Sequence, residues 1–350
     1  MPDIRVAIIG VGNCCSALLQ GLEYYRKHRN ESLGLLHQEV GGHLPSDLKV
    51  VLAFDVDKRK VGKDLSEAIF AEPNTMPCLI KVPRIGTIVL RGSTLDGVGE
   101  YTKNLIKLDE GEPVDVAEML RKSKVEVVVN LLPSGASEAS AWYAEQTLEA
   151  GCAYVNATPT PIASDSNFGE LFKKASLPLV GDDLMDQFGA TILHMGLLKL
   201  LNERGVRVDE SYQLDVGGGA ESLSTLERGK EIKRKIKTEV VSSAVPYKFP
   251  LVAGSTDYVD FLGNSRDSLF WIKGKYFWGV PLTIDIKLET MDGPNAGAVL
   301  LDVIRAVKLA KDRGLSGPLI PVSAYAFKKP PERRDLETAW REFEKFITEK

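Results

Sequence analysis

A short β-branched run, IRVAIIG, passes through Gly10-x-Gly12 straight into VGNCCSALLQGLEYYRKH, whose apolar residues recur at helical spacing. This junction limits the fold more than any other stretch of the chain. A second apolar run, LKVVLAFDVD, follows and closes on Asp55 and Asp57, and KRKVGKDLSEAIF after it has a helical pattern. The result is a β-α-β unit with its glycine turn where strand meets helix. Gly10 permits the tight turn and Gly12 lets backbone approach a pyrophosphate. A small third residue, here Cys15 rather than Gly or Ala, lets the helix pack on the strand. The helix N-terminus turns free N–H groups and a positive dipole end toward the phosphates. A carboxylate closing the second strand accepts hydrogen bonds from a ribose diol and repels a 2′-phosphate, so Asp55 favours NAD over NADP. Asp55 comes later than the usual ~20 residues beyond such a motif, a delay that a long first helix and loop accommodate.

The alternation continues. VEVVVNLLPSG, CAYVNATPTPIASD and LPLVGDD are further buried strands, and EASAWYAEQTLEAG is a helix that stops at Gly151. Strands buried on both faces and separated by helices predict a doubly wound parallel sheet with right-handed crossovers. Ligands bind such sheets at the carboxyl ends of the strands, so the loops LLPSG, NATPTP and GDDLMDQFG face the crevice. With Gly10, Gly12 and Asp55, the candidate cofactor contacts are Asn13, Cys14, Pro133, Thr158 and Asp183.

Beyond about residue 205 the pattern changes. ESYQLDVGGGAE and DSLFWIKGKYFWGVPLTIDIKLETMDG are rich in aromatic and β-branched residues and predict antiparallel strands. An inserted β-rich α+β unit of this kind needs its open face covered, which points to an oligomer. From Pro294 the chain turns helical again and stops at Lys311, Arg313 and Gly314. RRDLETAWREFEKFITEK reads as a charged, amphipathic surface helix. The 350 residues therefore divide into a dinucleotide-binding domain of 1–199 with 294–350, and an insert of 200–293. Net charge is -4, which argues against general nucleic-acid binding. No apolar run approaches the ~20 residues of a membrane span, and the start MPDIRVAIIG enters a strand without a basic leader. Cys14, Cys15, Cys78 and Cys152 lack metal-ligand spacing, consistent with a reduced, cytoplasmic protein. Of the histidines, His37 and His43 lie together in the excursion after the first helix and could form a loop site. His194 reads as a core or surface residue, and His28 as part of a charged helix end.

Nine strings, VAIIGVGNC, GLEYYR, AFDVDKRKVGKDLSEAIF, RGSTLDGVGEY, NLLPSG, AYVNATPTPIASD, PLVGDD, MDGPNAGAVLLDVIRAVKLAKDRG and PVSAYAFKKPPE, together resemble the prokaryotic type of myo-inositol-1-phosphate synthase along essentially the whole chain. The resemblance implies an NAD-containing Rossmann domain interrupted by a β-rich domain that builds a homotetramer. It implies conversion of glucose 6-phosphate to inositol 1-phosphate without net redox change: oxidation at C5, enolisation, attack of C6 on the C1 aldehyde, and reduction. It also implies basic residues around the reacting sugar. Lys237 and Lys328 match two family lysines, and a third falls on Lys233 or Arg234, because a one-residue deletion leaves the alignment open. Asp183 lies in the GDD turn, and Asp292 matches an acidic residue near the cofactor. The resemblance further allows a divalent cation as a helper.

The departures gather in the substrate site. Arg266 and Met185 stand where the family usually has lysine, and Gly219, Glu221 and Ser224 replace its Asn, Asp and Asn. Arg keeps the charge but does not shuttle protons. Changes to several polar contacts in one pocket are what a related phosphosugar would require. Two further readings compete: a simple sugar-phosphate or amino-acid dehydrogenase that releases NADH each cycle, and a dinucleotide-binding regulator without catalysis.

Overall fold

A computed structural model describes residues 3–349; Met1, Pro2 and Lys350, included in the expected domain limits, lie outside the described residues. In chain order the elements are β1 Ile4–Ile9, α1 Asn13–Lys27, β2 Leu48–Asp55, α2 Leu65–Ala68, β3 Val89–Arg91, α3 Val116–Lys122, β4 Val127–Asn130 and α4 Ser137–Ala150. Then come β5 Ala153–Asn156, α5 Ser166–Lys174, β6 Pro178–Val180, α6 Ala190–Glu203, β7 Arg207–Gly217, α7 Ala220–Ser224, α8 Lys230–Ser242, β8 Leu251–Tyr258, β9 Ser265–Lys275 and β10 Pro281–Met291. The chain ends with α9 Asp292–Asp312, β11 Gly317–Pro318, α10 Ile320–Ala326 and α11 Leu336–Thr348.

Seven strands form one sheet in the order β11-β6-β5-β4-β1-β2-β3, and every pairing in it is parallel. This is the α/β, doubly wound Rossmann-type sheet that the alternation predicts. The strand order reverses between β1 and β4, and a crevice opens there at the carboxyl ends of the strands. Ile4, Val6, Ala7 and Ile8 on β1 and Val127, Val128 and Val129 on β4 are wholly buried, as central parallel strands must be.

The second sheet has the order β10-β9-β7-β8. Its two pairings through β9 are antiparallel, as predicted. The β7–β8 pair is parallel, because the helical stretch of α7 and α8 forms a crossover between them rather than a hairpin. The expected boundary at 199/200 falls inside α6, whose Met195 and Leu198 sit in the core of this second sheet. The helix expected over KRKVGKDLSEAIF shrinks to α2. Asp57 and Asp64 side chains accept backbone amides there, and Gly62 adopts a φ of 79°. Such local bonds compete with a helix ladder.

The return helix α9 starts two residues earlier than the sequence suggests, with Pro294 in the first turn, where its missing N–H costs nothing. It is buried almost all round. A Cβ at Gly293 would lie 3.0 Å from both Ala17 Cβ and Asn13 O, so glycine lets α9 lie directly on α1.

The C-terminal helix docks rather than floats. Asp335 caps it, and Ala339, Phe343 and Ile347 are buried at four-residue spacing. Phe343 stacks on Tyr325, with ring centroids 4.0 Å apart. His37 bridges the helix to the core: Nδ1 meets Asp302 Oδ2 at 2.5 Å and Nε2 meets Glu344 Oε1 at 2.8 Å. His43 faces Asp47 and Asp312 instead, so the two histidines do not make a joint loop site. Burial depresses the His37 pKa, but the Asp302 and Glu344 carboxylates win and raise it above the ordinary value. The resulting stabilisation is complete below the unfolded value of about 6.5 and is lost as pH rises through the folded one. Urea denaturation from pH 6 to pH 9 should show this loss in the wild type and not in His37→Gln. Phe343→Ala should cost about 3–5 kcal/mol.

Candidate functional site

The crevice begins at the glycine turn. Gly10 N donates to Phe54 O at 2.9 Å. Its φ of 91° and the 3.0 Å at which a Cβ would meet Leu131 O leave no room for a side chain. Gly12 has open space at its Cβ position. No side chain caps the first turn of α1, so its amides remain available to an anion. Asp55 holds the turn: Oδ2 accepts Val11 N at 2.8 Å, and Oδ1 accepts Val56 N and Asp57 N at 2.7 and 2.9 Å. Oδ2, with a single acceptor bond, keeps a further lone-pair direction for a ribose hydroxyl. Lys60 Nζ donates to Val11 O and Asn74 Oδ1, bracing the turn from beneath.

Asn13 spends its side chain on structure, with Oδ1 accepting Thr75 N and Met76 N and Nδ2 donating to Thr75 Oγ1. Cys14 lines the crevice; burial, then Asp292, Glu221 and Asp186, push its thiol up to about 12, so it is no nucleophile. Pro133 and Thr158 line the same wall. Asp183 is fixed through its backbone: its N donates to Thr158 O at 2.8 Å, and its O accepts Lys328 N at 2.7 Å. Its Oδ2 is buried without a hydrogen-bond partner, an acceptor left for a ligand.

The far end of the cleft holds four cations, each facing a carboxylate: Lys233–Glu221 at 2.7 Å, Lys237–Asp215 at 2.6 Å, Arg266–Asp292 at 2.7 Å and Lys328–Asp183 at 3.7 Å. The last distance is too long for a hydrogen bond, and Lys328 Nζ donates instead to Leu184 O at 2.6 Å. Lys233 and Lys237 lie one helical turn apart on the inner face of α8. Arg234 turns outward to Glu231, so Lys233 is the residue that lines the cleft. Between α7 and α8, residues 225–229 form a π-helical turn, which shifts the helix phase. Charge at the floor of the cleft is disfavoured for Lys233, but Glu221 and Asp183 outweigh that and raise its pKa. The same place disfavours the Glu221 carboxylate, yet Lys233 and the Ser134 donors hold it at about 2. Arg266 is likewise raised despite burial, by Asp292 first.

Glu221 also ties the two halves together, accepting Ser134 N at 3.0 Å and Ser134 Oγ at 2.7 Å. Ser224 Oγ donates to Ser134 O at 2.7 Å. A Cβ at Gly219 would approach Asn13 Nδ2 at 3.3 Å, so glycine there widens the cleft. Met185 is buried and lies outside the cleft lining, its N donating to Ala326 O at 2.8 Å. Sequence reasoning misses Asp215 and Asp186. Asp215 had a legible signal, an acid at an inward position of an alternating strand, and Asp186 was marked only by its place in the crevice-facing loop GDDLMDQFG. His194 lies in the core, bonded to Gln213 and Ser211. Among the described residues no group of three or more His, Cys, Asp or Glu is arranged to hold a metal ion. No described helix is long and apolar enough to cross a membrane. An arrangement of this kind can neutralise a phosphate and an oxyanion at the closed end of a dinucleotide crevice.

Comparison with known proteins adds independent findings. The family model described as myo-inositol-1-phosphate synthase matches residues 189–293. An inositol-3-phosphate synthase of Mycobacterium tuberculosis is 45% identical over 351 residues, covering 99% of this chain and 96% of its own. One from Mycolicibacterium smegmatis is 44% identical over 355 residues, covering 99% and 98%. The crystal structure of a myo-inositol-1-phosphate synthase-related protein from Thermotoga maritima superposes with a TM-score of 0.83 at 25% identity, covering 99% and 98%.

The two glycines of the turn should behave differently. Gly10→Ala should destabilise the protein by about 1–3 kcal/mol in urea denaturation, through strain at positive φ. Gly12→Ala, with open space at its Cβ, should leave stability within about 0.5 kcal/mol yet abolish the thermal stabilisation that added dinucleotide gives the wild type.

Proposed function

The chain belongs to the prokaryotic type of the myo-inositol-1-phosphate synthase family, and we propose that the sugar phosphate it cyclises is glucose 6-phosphate, giving 1L-myo-inositol 1-phosphate, with NAD retained through the cycle. The observation that carries this reading is the set of paired cations at the blind end of a crevice shaped for a dinucleotide. NAD fits the residues present. Gly10, Gly12 and the uncapped first turn would hold its pyrophosphate, Asp55 its ribose, and Pro133, Thr158, Asp183 and Asp292 line the path onward. When bound, it supplies reversible hydride acceptance at C5 of the sugar.

The protein's own groups do the rest. A dianionic phosphate gains charge-assisted hydrogen bonds from Lys233, Lys237, Arg266 and Lys328 in a site shielded from water. The same cations oppose the negative charge of the enolate and of the alkoxide formed on ring closure. Arg266 cannot give up its proton and serves as a fixed charge, whereas the Lys328 Nζ, without a hydrogen-bonded carboxylate, can hold or pass one. The free Asp183 Oδ2 accepts a sugar hydroxyl. Gly219, where the family pattern has Asn and a Cβ would come 3.3 Å from Asn13 Nδ2, leaves the cleft wider and favours a second reading: the same cycle on a different phosphosugar.

Three further features belong to this proposal. The insert begins near residue 190 rather than 200, because α6 packs with the second sheet. Its sheet exposes Tyr212, Leu214 and Leu269, with Phe277 and Trp278 at a hairpin tip, and further copies of the chain cover this surface in a homotetramer. The compartment is the cytoplasm, supported by four cysteines that are all free.

Purified protein given NAD and glucose 6-phosphate should yield inositol 1-phosphate by mass spectrometry and phosphorus NMR, with no accumulation of NADH absorbance. Product from another hexose or pentose phosphate alone would establish the second reading, and NADH rising with substrate loss would establish a dehydrogenase. NAD should bind more tightly than NADP, and light scattering should show four copies. Lys237→Ala and Lys328→Ala should each lower kcat by about 10²-fold or more.

A further inference from the structure

Lys237 is the one cleft cation that pairs away from the cleft, into the second sheet. Its Nζ donates to Asp215 Oδ2 at 2.6 Å, and both side chains are almost wholly buried. Asp215 is fully satisfied: Ser268 Oγ donates to Oδ1 at 2.8 Å, and Gln213 Nε2 reaches Oδ1 and Oδ2 at 3.0 and 2.9 Å. The Gln213 amide is itself oriented. Its Oε1 lies 3.2 Å from His194 Nδ1, while His194 Nε2 lies 2.8 Å from Ser211 Oγ. Burial depresses the His194 pKa to about 4, so the ring is neutral. The Asp215 carboxylate can only accept, so Gln213 presents its NH2 to it and turns Oε1 to a proton on His194 Nδ1. The single Ser211 hydroxyl proton is shared between His194 Nε2 and Trp271 O, 2.9 Å away. All of these side chains are buried. A neutral, rigid chain thus leads from the core of the second sheet to a carboxylate that can only accept.

We infer that Asp215 is a positioning residue that holds Lys237 protonated and aimed at the sugar phosphate, so that Lys237 enters the reaction as a fixed cation and not as a base. This rests on the reading of Lys237 as a group that faces substrate. The groups around Lys237 are Asp215 from β7, Arg266 from β9, Lys328 beyond α10 and Lys233 from its own helix. β8 presents Gly254, where any Cβ would collide with the lysine stem. Asp215 is the one carboxylate directly bonded to the amine. Burial lowers the Lys237 pKa, Asp215 opposes this, and the three other cations reinforce it. Without the Asp215 charge nothing opposes the three cations, and the amine becomes neutral at lower pH. An Asn in its place would donate its amide N–H to the neutral amine, so the variant keeps shape and loses charge.

The test is Asp215→Asn, read in two ways. Competitive acetylation with isotopic acetic anhydride, scored at Lys237 by peptide mass spectrometry against exposed Lys103, should rise about tenfold at pH 8 relative to wild type. The basic limb of the kcat profile for the product-forming reaction should move down by about one pH unit or more. Asp215→Glu should bring both back toward wild type. Unchanged labelling and an unmoved limb would overturn the inference, as would activity lost equally at every pH with wild-type labelling. Should Asp215→Asn fail to fold by circular dichroism, Asp215→Ser, which removes the charge with a smaller polar side chain, should give a shift in the same direction; no shift there also overturns it. The labelling arm is read without substrate. If wild type makes no inositol phosphate, the functional reading fails while the Asp215–Lys237 link is still decided.

Discussion

The packing of α9 on α1 is the contact on which the site depends. β10 ends at Met291 and α9 begins at Asp292, so the second sheet passes its chain directly to the helix that lies on the cofactor helix. Gly293 and Gly297 allow that approach: a Cβ on the first would meet Asn13 O at 3.0 Å, and one on the second would meet Leu18 N at 3.5 Å. Interiors pack at the density of organic crystals, so an added methyl at Gly293 presses on α1, whereas one at Gly297 would just touch it. The approach places Asp292, and through it Arg266, beside the glycine turn. Cofactor end and substrate end are then a single rigid construction, though more than two hundred residues separate them in sequence.

Once the halves meet, electrostatics decides which arrangement persists. Enclosing Lys233, Lys237, Arg266 and Lys328 in one cleft would be costly if each charge stood alone, because desolvation in a protein interior amounts to several kcal/mol per ion. Carboxylates supplied from β7, α7, the residue after β10 and the turn after β6 meet that cost. The pairs are unequal. Asp215 is bonded on every side, whereas Asp183 leaves one oxygen free and stands 3.7 Å from its lysine. The loose pair is the one a substrate can enter without breaking a hydrogen bond between side chains, and the tight pair is the one that must stay intact.

The parts legible in the sequence are those with local causes. β1, the glycine turn and α1 follow from apolar pattern and backbone sterics, and so does the parallel sheet built around them. Asp55 was readable because it closes a strand. The parallel β7–β8 pair was not, since alternation carries no strand direction and only the helical crossover decides it. Lys233 and Arg234 are neighbours in one charge run, and no periodicity tells them apart across a π turn that shifts phase midway. The structure separates them by packing: Ile236, Lys237, Val240 and Val241 face inward, and that face carries Lys233 with it. Asp183 depends on a φ of 60° and on two backbone hydrogen bonds to distant loops, neither of which has a sequence signature.

The departures from the family pattern take on a common sense in this setting. Met185 removes a charge at a position whose side chain the fold turns away from the cleft, so its loss leaves the cleft lining intact. Arg266 keeps a charge where the partner, Asp292, is reached by both Nε and Nη2, a fork that a lysine could not supply. Glu221 is one methylene longer than aspartate and uses that reach to bond Ser134 on the opposite wall and Lys233 on its own. Of the four cleft cations, Lys328 alone has no hydrogen-bonded carboxylate: its Nζ donates to Leu184 O and stands 3.7 Å from Asp183.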